Sequence, residues 1–114
     1  MESPLINKSL DFATQIVIFY EASSKSKKDT TIAKQLLRSS TSVGANLNEA
    51  IYGNSKPDFI SKLHISLKEI SESIYWLTLL KFFVLQNAPV NLFCRKINIL
   101  QFCQIILFIF RKLI

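Results

Sequence analysis

Turn-forming residues are scarce in this chain. Two glycines and three prolines in 114 residues are too few to punctuate many short strands, which favours a few long helices. Chemistry is as sparse as turns. There is no phosphate-cradling glycine loop and no nucleophile elbow. The one histidine, His64, has no His or Cys neighbour at ligand spacing, so it reads as a surface or hydrogen-bonded residue rather than a ligand or base. Cys94 and Cys103 fall on opposite sides of a helix, which excludes a local bridge or a shared metal and fits a reducing cytosol. A signal peptide is not expected, because Glu2 sits where a cationic start belongs and Asp11 interrupts the apolar stretch that follows. These absences predict a cytoplasmic protein that is not an enzyme, with no catalytic, metal or cofactor-binding residues.

What is present points to a compact helical domain. The length fits one domain, residues 1–114, able to build a core without disulfides or metal. An apolar content of 49% argues against disorder. The net charge of +6 suits a polyanionic partner such as nucleic acid, or an anionic membrane surface. The plainer alternative is a small basic protein whose charge serves only solubility.

Four helices are expected, at about 7–22, 30–53, 57–85 and 90–112. Residues 1–6, with Pro4, read as a frayed lead-in, and Asn7 or Ser9 as the first cap. Leu10, Phe12, Ala13, Ile16, Val17, Phe19 and Tyr20 give the first helix a broad apolar face. The run from Ser23 to Asp29 is polar and holds Lys25, Lys27 and Lys28, so it reads as a loop. The second helix is a poor one by propensity, with Ser, Thr, Asn and Gly crowding its middle. It is nonetheless two-faced. Ile32, Leu36, Val43, Leu47 and Ile51 form an apolar stripe whose gap is filled by Ser40, and Gln35, Arg38, Ser42, Asn46 and Glu49 form a polar one. Gly44 in its interior costs ~1 kcal/mol relative to Ala, which predicts a close helix–helix contact there. Gly53 and Asn54 mark its end, and Ser55 caps the third helix. In that helix Phe59, Leu63, Leu67, Ile70, Ile74 and Leu77 make the core stripe, with Glu69 and Glu72 on its flank.

Residues 90–114 contain Arg95, Lys96, Arg111 and Lys112 and no acid, and residues 97–110 are greasy apart from Asn98, Gln101 and Gln104. That stretch is shorter than the roughly 20 residues of a membrane span. A helix apolar nearly all round is buried on more than one side, which favours contact with other copies of the chain over membrane contact. If the polar stripe of the second helix faces other helices, Arg38 must be paired, because an unpaired buried charge is very costly. Glu49, Glu69 and Glu72 are the available partners. Asn46 is expected to hydrogen-bond across a helix or subunit contact. The alternative is that both face water.

The motifs Gln35-x-x-Arg38-Ser39-x-x-Ser42-x-Gly44-Ala45-Asn46-x-x-Glu49, then Ser55-Lys56-x-Asp58-Phe59-Ile60-x-Lys62-Leu63 and Leu67-Lys68-Glu69-x-x-Glu72-x-x-Tyr75-Trp76-Leu77, resemble the bacterial four helix bundle protein family. Its members are encoded in intervening sequences of large-subunit ribosomal RNA genes, and the match covers about residues 5–85. The resemblance implies an all-α, antiparallel up-down four-helix bundle that assembles into a ring-like homopentamer. The chain is also similar to the accessory proteins of diversity-generating retroelements, basic pentamers that associate with a reverse transcriptase and nucleic acid. Residues 90–114 depart from the family pattern, since the family's fourth helix is more amphipathic and carries acids.

The expected function is therefore non-enzymatic: a basic oligomer binding RNA or DNA electrostatically, with phosphate contacts and little sequence readout. Candidate phosphate contacts are Lys25, Lys27, Lys28, Lys34, Lys56 and Lys62. Candidate structural or interface residues are Arg38, Ser42, Gly44, Asn46, Glu49, Glu69 and Glu72. The rivals are a scaffolding oligomer acting through a protein partner, and membrane attachment through the fourth helix.

Overall fold

The computed structural model describes residues 4–25 and 30–86. Within them are three helices, α1 (Pro4–Ser24), α2 (Thr31–Ile51) and α3 (Lys56–Gln86). No strand occurs among the described residues. The helix expected at 90–112 lies outside them.

The helix ends follow local chemistry, with two corrections. Pro4 is not in a frayed lead-in but opens α1, a position where its missing N–H costs nothing and its fixed φ suits a helix. Consequently neither Asn7 nor Ser9 is a cap. Both lie inside α1, and the Ser9 hydroxyl donates to the Ile6 carbonyl at 2.8 Å. Thr30 is the N-cap of α2 by position but makes no side-chain cap bond. At the other end Tyr52 is the C-cap, and the Gly53 N–H donates to the Ala50 carbonyl at 3.1 Å. The Ser55 hydroxyl accepts from the Asp58 N–H at 3.3 Å, the capping geometry expected there.

The buried positions keep a seven-residue rhythm. They are 5, 9, 12, 16 and 19 in α1 and 63, 66, 70 and 73 in α3; in α2 they run 33, 36, 40, 43, 47 and 50, with 39 alongside. Alternating steps of three and four are the pattern of helices that pack nearly parallel or antiparallel with side chains interlocked. Phe12, Ile16, Phe19, Leu36, Val43, Leu47, Leu63 and Ile70 fill the centre. Their burial is what holds α2 helical against its own propensities.

α2 packs against both α1 and α3, which themselves hardly meet. Its pairings with α3 run in opposite sequence directions. Arg38 meets Glu72, Ser39 meets Ser73, Val43 meets Ser66 and Glu49 meets Lys62, so α2 and α3 are antiparallel.

The seam between them differs from the apolar stripe expected for α3. Leu63 and Ile70 are buried as expected, but Ile74 is 37% exposed while Ser66 and Ser73 are fully enclosed. The reason is complementarity of size. α2 presents the fully buried Ser39 and Ser40, and four small side chains allow two backbones to come close. Every hydroxyl then has a partner. Ser40 donates to Ser73 at 3.4 Å, Ser73 to Ser39 at 2.8 Å, and Ser39 to the Leu36 carbonyl at 3.2 Å. The Ser66 hydroxyl donates to the Val43 carbonyl at 3.1 Å, so no buried hydroxyl in this set is left at the cost of a lost hydrogen bond.

The close contact expected at Gly44 is present on the other side of α2. A Cβ built there meets the Ser9 Oγ at 3.0 Å and its Cβ at 3.4 Å. Only glycine lets α1 lie this near without displacing Ser9.

Candidate functional site

Two groups of polar residues were singled out by sequence, and the fold separates them. The first is the set of candidate phosphate contacts. Lys25 directly follows α1 and Lys34 lies in the first turn of α2; both are exposed and both stand at the α1–α2 connection. Lys27 and Lys28 lie outside the described residues. Lys56 begins α3 at the opposite end of α2 and is exposed. With ~1.5 Å of rise per residue, the two ends of α2 are about 30 Å apart. Among the described residues, Lys25 and Lys34 therefore stand at one end of the helical hairpin and Lys56 at the other.

Lys62 belongs to a different structure altogether. Its ammonium donates to Glu49 Oε2 at 2.7 Å. That hydrogen bond and the carboxylate charge hold the lysine's pKa above its ordinary value. An ammonium already committed to a carboxylate has less to offer a phosphate. Lys8, which the sequence reading passed over, is exposed near the start of α1. Because Ser9 touches Gly44, that start lies toward the α2–α3 turn, at the end where Lys56 stands. Its signal was available: a lysine on the polar side of an amphipathic helix.

The second group is the polar stripe of α2. Arg38 donates through Nη2 to Glu72 Oε1, and its Nη1 lies 3.9 Å from Glu69 Oε1. Its side chain is 53% exposed, so this is a surface pair at the rim of the hydroxyl seam, between the buried and the solvated versions considered above. Trp76, which was not among the candidate interface residues, completes it. Its indole N–H donates to the same Glu72 oxygen at 3.2 Å. The indole also stacks edge-on against Tyr75, with ring centroids 5.1 Å apart.

Glu69 and Glu72 respond in opposite ways. The hydrogen bonds from Arg38 and Trp76 hold the Glu72 carboxyl below its ordinary pKa. Burial pushes the Glu69 carboxyl up, and the neighbouring Glu72 charge adds to that against the pull of Arg38. Glu69 Oε2 is buried with no hydrogen-bond partner. One guanidinium serves two carboxylates here, and it serves Glu72 far better.

Among the described residues Asn46 bonds within its own helix. Its amide donates to the Ser42 carbonyl one turn back at 2.8 Å, and the Ser42 hydroxyl donates to the Arg38 carbonyl at 2.8 Å. Side chains of this size readily hydrogen-bond to the preceding turn of their own helix. His64 is exposed on α3. Among the described residues no group of three His, Cys, Asp or Glu could hold a metal ion, and no helix is long and apolar enough to cross a membrane.

Comparison with known proteins agrees with the helical pattern. The family model described as 23S rRNA-intervening sequence protein matches residues 2–98. Among solved structures, a protein of unknown function from the S23 ribosomal protein family of Bacteroides thetaiotaomicron is similar, with a TM-score of 0.78 and 38% identity. The likeness covers 92% of this chain and 94% of that one. No curated protein matches the chain.

Proposed function

The chain belongs to the 23S rRNA-intervening sequence protein family, and on that premise we propose that it is a non-catalytic, cytoplasmic, basic oligomer that binds RNA or DNA through phosphates. In this reading residues 90–112 form the fourth helix of an antiparallel up-down bundle. Five copies forming a ring would bring the lysine-bearing ends of all subunits onto two rims. A role as accessory to a reverse transcriptase belongs to the same proposal.

The observation that carries it is the net charge of +6 with exposed, outward lysines at the helix connections, Lys25, Lys34 and Lys56. Lysines placed at loop ends and helix starts reach phosphates without disturbing a core. Salt titration of binding to a single-stranded RNA and a duplex DNA tests it. Replacing Lys25, Lys27 and Lys28 by Gln together should weaken binding and lower the slope of log K against log salt by about 2–3. Absence of binding to either polymer at low salt overturns the proposal.

A second reading, a scaffold acting through a protein partner, draws on the division of the lysines between two ends and on the Lys62–Glu49 pair. Unchanged nucleic-acid binding in the triple variant favours it.

A further inference from the structure

An apolar groove runs between α1 and α2. Leu10, Ala13 and Val17 form one wall, and Gly44, Ala45 and Asn48 form the other; its volume is about 510 Å³. Leu10 is 63% and Val17 40% exposed, on a helix whose opposite side is fully buried. A long apolar groove with small residues on one wall is the shape that receives a helix laid lengthwise.

The chain itself contains a segment of matching character. Residues 97–110 carry no charge, and Asn98, Gln101 and Gln104 are their only polar side chains. As a helix they would be about 21 Å long, against about 16 Å for the stretch of α1 from Ile6 to Val17 that lines the groove. A helix this apolar is buried on more than one side. Within one subunit α1 and α3 both pack on α2 and hardly meet each other, which leaves such a helix a place beside the two. Its outward side then needs a second apolar surface, and the α1–α2 groove is one. Asn48 and Thr41 at the groove give the three amide side chains polar neighbours.

We propose that residues 97–110 of a neighbouring copy occupy the α1–α2 groove. The inference rests on the oligomer reading above and adds where the copies meet. Donor and acceptor surfaces are different patches, so copies can join head-to-tail, an arrangement that makes a ring where the rotation closes.

Two measurements on the full-length chain test it. Sedimentation of the wild-type protein and of Ala45→Arg comes first, with far-ultraviolet circular dichroism to show that the variant keeps its helices. Ala45 is exposed, so the arginine fills the groove without entering the core. The variant should need at least about tenfold more protein to assemble. Second, Leu10 is replaced by the photocrosslinker benzoylphenylalanine and the protein is irradiated. The expected product has twice the chain mass, with the attachment inside residues 97–110. A crosslink within one chain, an attachment elsewhere on the neighbour, or no crosslink overturns the proposal. An Ala45→Arg variant that assembles like wild type overturns the groove assignment and leaves oligomerisation standing. A wild-type protein that stays monomeric overturns both.

Discussion

The side of α2 turned toward α3 carries hydroxyls and charges, whereas the side turned toward α1 carries a glycine and an apolar wall. Across the first, Ser39, Ser40, Ser66 and Ser73 form hydrogen bonds in fixed pairs, and Arg38 and Glu49 reach the carboxylate and ammonium opposite. Across the second, Gly44 receives Ser9, while Phe12, Ile16 and Phe19 supply the bulk of the buried surface from α1. The polar seam fixes register, because sliding by one turn would unpair several buried hydroxyls at once. Residue for residue, the large side chains that α1 buries stabilise more than the hydroxyl pairs do, because transfer of such a side chain from water exceeds the net worth of a hydroxyl bond.

The largest effect should come from the apolar side. Phe12→Ala removes a fully buried ring and should lower stability by about 3–5 kcal/mol. Ser73→Leu, which forces volume into the polar seam, should cost about 1–3 kcal/mol plus the stranded Ser39 and Ser40 partners. Urea denaturation of the two variants ranks the seams, and a larger loss for Ser73→Leu would reverse the comparison. The Gly44 contact comes next. Gly44→Ala gains ~1 kcal/mol of helix propensity but drives a methyl against the Ser9 hydroxyl. Combined with Ser9→Ala it should be more stable than the sum of the single changes by about 0.5–1 kcal/mol. Additive behaviour in that cycle would show that the close approach exerts no strain.

The smallest effect is the sharpest in sign. Glu72 is held below its ordinary pKa by Arg38 and Trp76, so its contribution is present above the unfolded value of about 4.3 and is lost as pH falls through the lower, folded one. Glu69 is pushed up by burial. It favours folding below the unfolded value, and that contribution is lost as pH rises through the folded one. Thermal melts at neutral pH should therefore show Glu72→Gln less stable and Glu69→Gln more stable than wild type. Both differences should shrink in acid. Glu69→Gln melting below wild type at neutral pH would contradict the orphaned oxygen.

The three described helices were legible in the sequence because their apolar residues recur at helical spacing. The buried Ser40 and the tight Gly44 were legible for the same reason, as a gap in one stripe and an otherwise costly residue. The serines of α3 were not. Hydropathy places Ser66 and Ser73 with surface residues, and only the small partners on α2 draw that side of α3 inward, displacing Ile74 to the rim. The polar stripe implies a carboxylate for Arg38 only if it faces another helix, and spacing alone does not choose among Glu49, Glu69 and Glu72 or reveal Trp76 as the donor that favours Glu72. The division of the lysines follows from helix length alone once the hairpin is drawn.

The spacing of the enclosed positions also constrains how this chain can change length. One residue gained or lost in the middle of α2 turns everything beyond it by about 100°, carrying Leu47 and Ala50 out to water and breaking both seams together. A whole repeat of seven, added or removed in step across the helices, leaves each face where it was. Relatives of different size should differ along the rods by such units, and confine their odd insertions to the connections between them.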